Sequence, residues 1–188
     1  MSNTQYLTGQ FLIAMPQMTE KPFARSLIFL CAHTAEGAMG LIINQRAGTM
    51  TFKDVFGQLE MEATADEAGT ARVNFGGPVE PRRGFVLHST DRLEESSLVV
   101  SEEVALTSTV DMLRAIAQGT GPPPRPAGLR LCRVERGPAR SRNPKQFLLS
   151  VDPDDALLFD ADLDTKWHRA IAKLGVDITM LSSEAGHA

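Results

Sequence analysis

The hydrophobic pattern changes period several times along the chain. FLIAM (11–15) is a continuous apolar run stopped by Pro16, and it predicts a buried strand. Ser26–His33 is a second such run, and Gly40–Asn44 a third, entered through Gly37 and Gly40. Runs that are apolar at every position, rather than at every second one, predict strands covered on both faces. The period then lengthens. Thr51 opens a helix in which Phe52, Val55, Phe56 and Leu59 share one side. Residues 60–71 are polar and rich in Ala and Glu, a surface excursion. Arg72–Phe75 and Gly84–His88 are short strands on either side of a Gly-Gly-Pro turn, and Leu98–Val100 and Val104–Leu106 are further strands. Ser108 is placed as the N-cap of a helix over 109–118, with Val110, Leu113 and Ala117 as its stripe and Gly119 as its stop. Asp164 is placed as the cap of a last helix running through Leu174. There Trp167, Ala170, Ile171 and Leu174 fall at i, i+3, i+4 and i+7, and Gly175 takes the C′ position. Strands predominate and do not alternate strictly with helices. That predicts one α+β domain over residues 1–188, built on a mixed sheet.

Composition narrows the class. The chain has 188 residues, 43% hydrophobic and 22% charged, which is ample for a core and excludes disorder, collagen and coiled coil. The N-terminus lacks a basic n-region, and the longest apolar stretch, Leu27–Ala32, is far short of the roughly 20 residues that span a bilayer. Two cysteines, Cys31 and Cys132, with no CxxC spacing, point to a reducing cytoplasm. No cofactor and no membrane partner is expected.

Candidate chemistry is sparse. There is no G-x-S-x-G, H-E-x-x-H or P-loop. Gly76-Gly77-Pro78 is a tight backbone feature followed by Arg82 and Arg83, and an arginine beside such a turn can grip a carboxylate or phosphate. His33 and His88 lie at predicted strand ends, with Asn44 as a further polar group. They would either meet in one cleft or simply cap the sheet edge. Cys31 and His33 have the residue types of metal ligands, but a core thiol beside a polar strand end is the better account of them. His168 reads as an exposed helix position.

Taken together, FLIAMP (11–16), FARSLIFLCAH and GAMGLIIN (23–44), GGPVEPRRGFVLH (76–88), TSTVDMLRAIAQGTGP (107–122) and the ending LLFD, KWHRAIAKLGVD and AGHA (157–188) resemble the bacterial AlgH/YqgE family. The resemblance spans nearly the whole chain. It implies a compact α+β domain with a large mixed, barrel-like sheet flanked by about three to four helices. It implies no settled activity, although a transcriptional-regulator label is attached to some members. The polar positions it matches are His33, Asn44, Arg83, His88, Ser108, Asp111 and His187, which with Gly76 and Gly77 form the candidate ligand cleft. Arg82 departs from the pattern, which commonly has an acidic residue there.

A larger departure lies at residues 128–146, where the family would place a block like GYAGWxxGQLExE. Permitted codons can be chosen for Arg130–Gln146 that, regrouped from the second base, translate as GYAGWSAGQLEAEIQS. Each shifted codon is constrained by two adjacent residues, so a run of family matches is hard to reach by chance. Residues from about 125 to 146 are therefore read as an out-of-frame segment. Taken literally, residues 128–146 are expected to be irregular or poorly packed. This changes the charge balance. The chain carries 19 Lys+Arg against 23 Asp+Glu, a net −4. Arg130, Arg133, Arg136, Arg140, Arg142 and Lys145 face only Glu135 in their stretch, net +5, which leaves −9 elsewhere. Without that stretch nothing remains of a basic nucleic-acid footprint.

Three function classes follow. A binding or regulatory domain, monomeric or weakly self-associating, would use the polar cleft for a small ligand or serve a protein partner. An enzyme acting on a small anionic substrate would orient it with Arg83 and use a histidine as base. Direct nucleic-acid binding ranks last, because no predicted helix carries clustered cations.

Overall fold

In the computed structural model, residues 6–19, 21, 23–64, 72–77, 84–122, 130–134 and 148–175 are described. Ten strands and four helices occur among them. The strands are β1 (Phe11–Ala14), β2 (Leu27–Thr34), β3 (Gly37–Ile42), β4 (Arg46–Thr51), β5 (Arg72–Gly77), β6 (Gly84–Ser89), β7 (Leu98–Val99), β8 (Val104–Thr107), β9 (Arg130–Val134) and β10 (Leu148–Val151). The helices are α1 (Phe52–Gln58), α2 (Val110–Ala117), α3 (Asp155–Phe159) and α4 (Leu163–Lys173).

The class is α+β. The strands divide into a four-stranded sheet, β10-β1-β2-β3, and a six-stranded sheet, β4-β5-β9-β6-β8-β7. Pairing is antiparallel throughout except between β5 and β9, so the larger sheet is mixed. The described strands form no closed barrel, and β3 lies against β5 where the two sheets meet.

The apolar runs explain the layering. On β6, Phe85 and Leu87 join the core that contains Phe11, Phe29 and Trp167, while Val86 joins Phe52, Phe56, Met112 and Ile116. Successive residues of a strand point to opposite faces, so β6 is covered on both sides, as its unbroken hydrophobicity predicts. Trp167 ties α4 to the smaller sheet, its indole N–H donating to the Ala14 carbonyl at 2.8 Å.

Several boundaries differ from expectation. Thr109, not Ser108, caps α2, its Oγ1 accepting from the Met112 N–H at 3.1 Å. Val110 is exposed, whereas Leu113 and Ala117 are buried as expected and are joined by Met112 and Ile116. Asp162, not Asp164, caps α4. Gly119 (φ +72°) and Gly175 (φ +66°) adopt the left-handed conformation that closes α2 and α4, which a Cβ would strain. β4, β10 and α3 were not expected. Nor was β9, which lies inside the stretch expected to be irregular. It is an interior strand, with Phe75 and Phe85 opposite Arg133 and Cys132 respectively. Hydrogen bonding from two neighbours holds an interior strand even where its own sequence lacks β periodicity.

Candidate functional site

The expected cleft residues have separate destinations. His33 is half-buried on β2, and its Nδ1 accepts from the Leu7 N–H at 3.0 Å, which places the ring proton on Nε2. Its main-chain N–H donates to Thr8 Oγ1 at 2.9 Å, and Tyr6 packs edge-on against the ring. This histidine pins the N-terminal segment to the smaller sheet. Asn44 is a clamp. Its Oδ1 accepts from the Leu27 N–H at 2.8 Å and its Nδ2 donates to the Arg25 carbonyl at 2.9 Å. Arg25 needs holding, because its φ is +52°, a conformation that side chains other than glycine resist. Its guanidinium sits 5.8 Å from the Trp167 ring centroid. Gly76 is buried in β5, which ends at Gly77. Arg83 and His187 lie outside the described residues.

His88 heads the most developed polar network. It is fully buried on β6, two residues from Val86 and so on the same face of the strand. Its Nδ1 lies 2.7 Å from the Ser89 carbonyl, and its Nε2 lies 2.8 Å from Thr107 Oγ1. A carbonyl can only accept, so Nδ1 carries the proton and Nε2 of the neutral ring accepts from Thr107. Thr107 Oγ1 then accepts from Ser97 Oγ, 2.7 Å away, which itself accepts from the Glu94 N–H at 2.8 Å. Glu94 also takes a hydrogen bond from Thr109, the cap of α2. A carboxylate there complements the helix dipole. The whole chain has one sense, from the Glu94 amide to the Ser89 carbonyl. Burial, the largest influence, pushes the His88 pKa down, against the opposing pull of the Ser89 bond and the Glu94 charge. The network joins β6, β8, the 94–97 turn and α2.

Of the expected residues, His88, Ser108 and Asp111 come into this one region. Ser108 is exposed between Thr107 and Thr109, and Asp111 forms a surface ion pair with Arg114. Their hydrogen-bonding partners are not shared with those of His33 or Asn44 among the described residues. Glu94, Ser97, Thr107 and Thr109 were not anticipated, since nothing in a sequence shows which residue of β8 lies beside His88. Lys166 was also missed, although its spacing signals it. It is three residues after Leu163 and four before Ala170, on the apolar face of α4. It is fully buried and its Nζ donates to the Leu157 carbonyl, in the last turn of α3, where a cation suits the helix end.

Among the described residues no three His, Cys, Asp or Glu side chains are grouped to hold a metal. Cys31 is buried, with its thiol 3.7 Å from the Phe29 carbonyl. No described helix is long and apolar enough to cross a membrane.

Comparison with known proteins gives a consistent result. A family model described as AlgH-like matches residues 11–179. A UPF0301 protein of Afipia carboxidovorans is 43% identical over 194 residues, covering 100% of this chain and 92% of that protein. One from Rhodopseudomonas palustris (strain BisB18) is 44% identical over 194 residues, covering 100% and 91%. The solution structure of the AlgH protein from Pseudomonas aeruginosa superposes with a TM-score of 0.73 at 35% identity, covering 100% of this chain and 99% of that one. A crystal structure of a protein from Corynebacterium diphtheriae shares the fold, with a TM-score of 0.68 at 13% identity over 97% and 95% of the chains.

Proposed function

The chain belongs to the AlgH-like family, and from that membership we propose that it is a cytoplasmic binding and regulatory domain. It acts through a small ligand or a protein partner, and any influence on transcription is indirect. The observation that carries this reading is the commitment of its polar groups. Both ring nitrogens of His88, the Nδ1 of His33 and both ends of the Asn44 amide are spent on internal hydrogen bonds. A general base needs an accessible lone pair within reach of a substrate proton, and a sealed His88 offers none. These groups instead hold loops and helix starts in place, which is what a binding surface requires. The net acidity of the chain disfavours contact with DNA phosphates.

A thermal-shift panel of small anionic compounds, run beside duplex DNA and followed by mass spectrometry of each compound, tests the reading. A specific ligand at 100 times its Kd raises stability by about 2.7 kcal/mol and is recovered unchanged. Turnover of any compound that is lost in a folded His88→Gln variant would establish an enzyme instead. A DNA complex surviving moderate salt would establish direct binding.

A further inference from the structure

One of the two terminal strands of the larger sheet has an unusual composition. Among the described residues β7 is this terminal strand, paired with β8 alone. The segment Ser96–Ser101 (SSLVVS) has no charge and is bracketed by Glu94-Glu95 on one side and Glu102-Glu103 on the other. Leu98 and Val99 are 39% and 53% exposed, and Leu93, just before the first glutamate pair, is 48% exposed. Edge strands are commonly guarded by lysine, proline or a bulge, and β7 has none of these within its two residues.

Among the described residues the backbone is also unpaired on the outer side. The Val100 N–H donates to the Val104 carbonyl at 2.9 Å, so that pair is hydrogen-bonded across the ladder. In an antiparallel ladder such pairs alternate with non-bonded ones. Leu98–Leu106 is then bonded, Val99–Ala105 is not, and the Val99 N–H and C=O face away from β8. The ladder between β6 and β8 agrees, since Thr90 bonds to Glu103 there.

Charge identifies the occupant. Residues 91–111 contain Asp91, Glu94, Glu95, Glu102, Glu103 and Asp111 against Arg92 alone, a net −5. That field repels nucleic acid and anionic membrane, and it repels the same edge of a second copy. We propose that this edge docks an extended basic segment of a protein partner. The segment adds one strand to β7 through the Val99 backbone, sets its side chains beside Val99 on one face and Leu98 on the other, and places Lys or Arg against the two glutamate pairs. The His88 network underlies the site, because Ser97 and Glu94 hold the turn that starts β7. The proposal rests on the reading of the protein as a binding domain.

The test uses the full chain and a fluorescein-labelled peptide, KKTVTVTVKK, with EETVTVTVEE as its counterpart. Val99→Pro removes the outward N–H without touching a β7–β8 bond, a position where an edge strand tolerates proline. Anisotropy should show the lysine peptide bound and the glutamate peptide free. Val99→Pro and the triple reversal Glu95→Lys/Glu102→Lys/Glu103→Lys should each weaken binding about tenfold or more, with a steep loss in salt. Reversal of the remote Glu60 and Glu62 should change it less than about twofold. Equal binding to all these variants overturns the proposal. So does a dimer in sedimentation velocity that Val99→Pro dissociates, which would assign the edge to a second copy. If the peptide fails but a small compound stabilises the protein unchanged, the docking edge is refuted and the binding-domain reading stands. If a compound is turned over, that reading falls on its own.

Discussion

Acidification just below neutrality should remove stability through His88. The ring is fully buried, with its Nδ1 proton on the Ser89 carbonyl and its Nε2 lone pair on the Thr107 hydroxyl. Adding a proton to Nε2 turns an acceptor into a donor. Thr107 must then redirect its hydrogen to Ser97, whose oxygen already accepts from the Glu94 amide. Ser97 loses its acceptor, and the chain of bonds has no consistent sense. Burial thus holds the folded-state pKa below the ordinary 6.5. The unfolded chain therefore takes up the proton first as pH falls. The contribution is complete above the unfolded value and is lost as pH drops from about 6.5 toward the folded pKa. The slope cannot exceed about 1.4 kcal/mol per pH unit for one proton, and the loss by about pH 5.5 cannot exceed about 1.4 kcal/mol. Urea unfolding from about pH 8 to about pH 5.5 measures it in the wild type and in His88→Gln, which does not titrate. The variant should be less stable throughout but flatter over this window. Equal slopes in the two proteins would refute the sealed neutral histidine. Aspartates whose pKa values are lowered, among them Asp154 through its bonds to Lys173 and Leu157, lose stability only below the ordinary carboxylate range and do not confuse the comparison.

Three further outcomes are expected. Asn44→Ala should cost about 2 kcal/mol in urea unfolding, since it strips partners from the Leu27 amide and the Arg25 carbonyl and frees a left-handed Arg25; a cost under about 0.5 kcal/mol would show that the clamp is dispensable. Trp167→Phe should cost about 1–3 kcal/mol, because the buried Ala14 carbonyl loses its donor, and the same measurement checks it against a wild-type value. We also propose that the natural protein reads in another frame over residues from about 125 to 146. The present sequence sets Arg130 opposite Leu87 and Arg133 opposite Gly84 in the interior strand β9, where the shifted frame reads GYAGW. Intact mass of protein expressed from genomic DNA decides, and a mass matching the present sequence would refute the shift.

Much of the fold was legible in sequence because it rests on local rules. Continuous apolar runs gave away β1 and β2, since a strand covered on both faces can keep every position hydrophobic, and the turn residues at 76–78 marked β5 and β6 as strands on either side. The 3.6-residue stripe through Trp167 and Ile171 and the glycine at 175 defined α4 to within a residue or two. The motifs were also specific enough to identify the family.

What sequence could not reach is decided by register and by what lies across a ladder. That Thr107 meets His88, that Ser97 relays to the Glu94 turn, and that Asn44 holds Arg25 all depend on pairs 10 to 19 residues apart or on turns between strands. The same applies to the outward-facing backbone of Val99, which only the β7–β8 register reveals. Composition and period set which residues must be buried. Hydrogen-bond satisfaction in the assembled sheets then chose which polar groups became structure and which edge stayed open, because a buried donor or acceptor must find its partner wherever the tertiary fold supplies one.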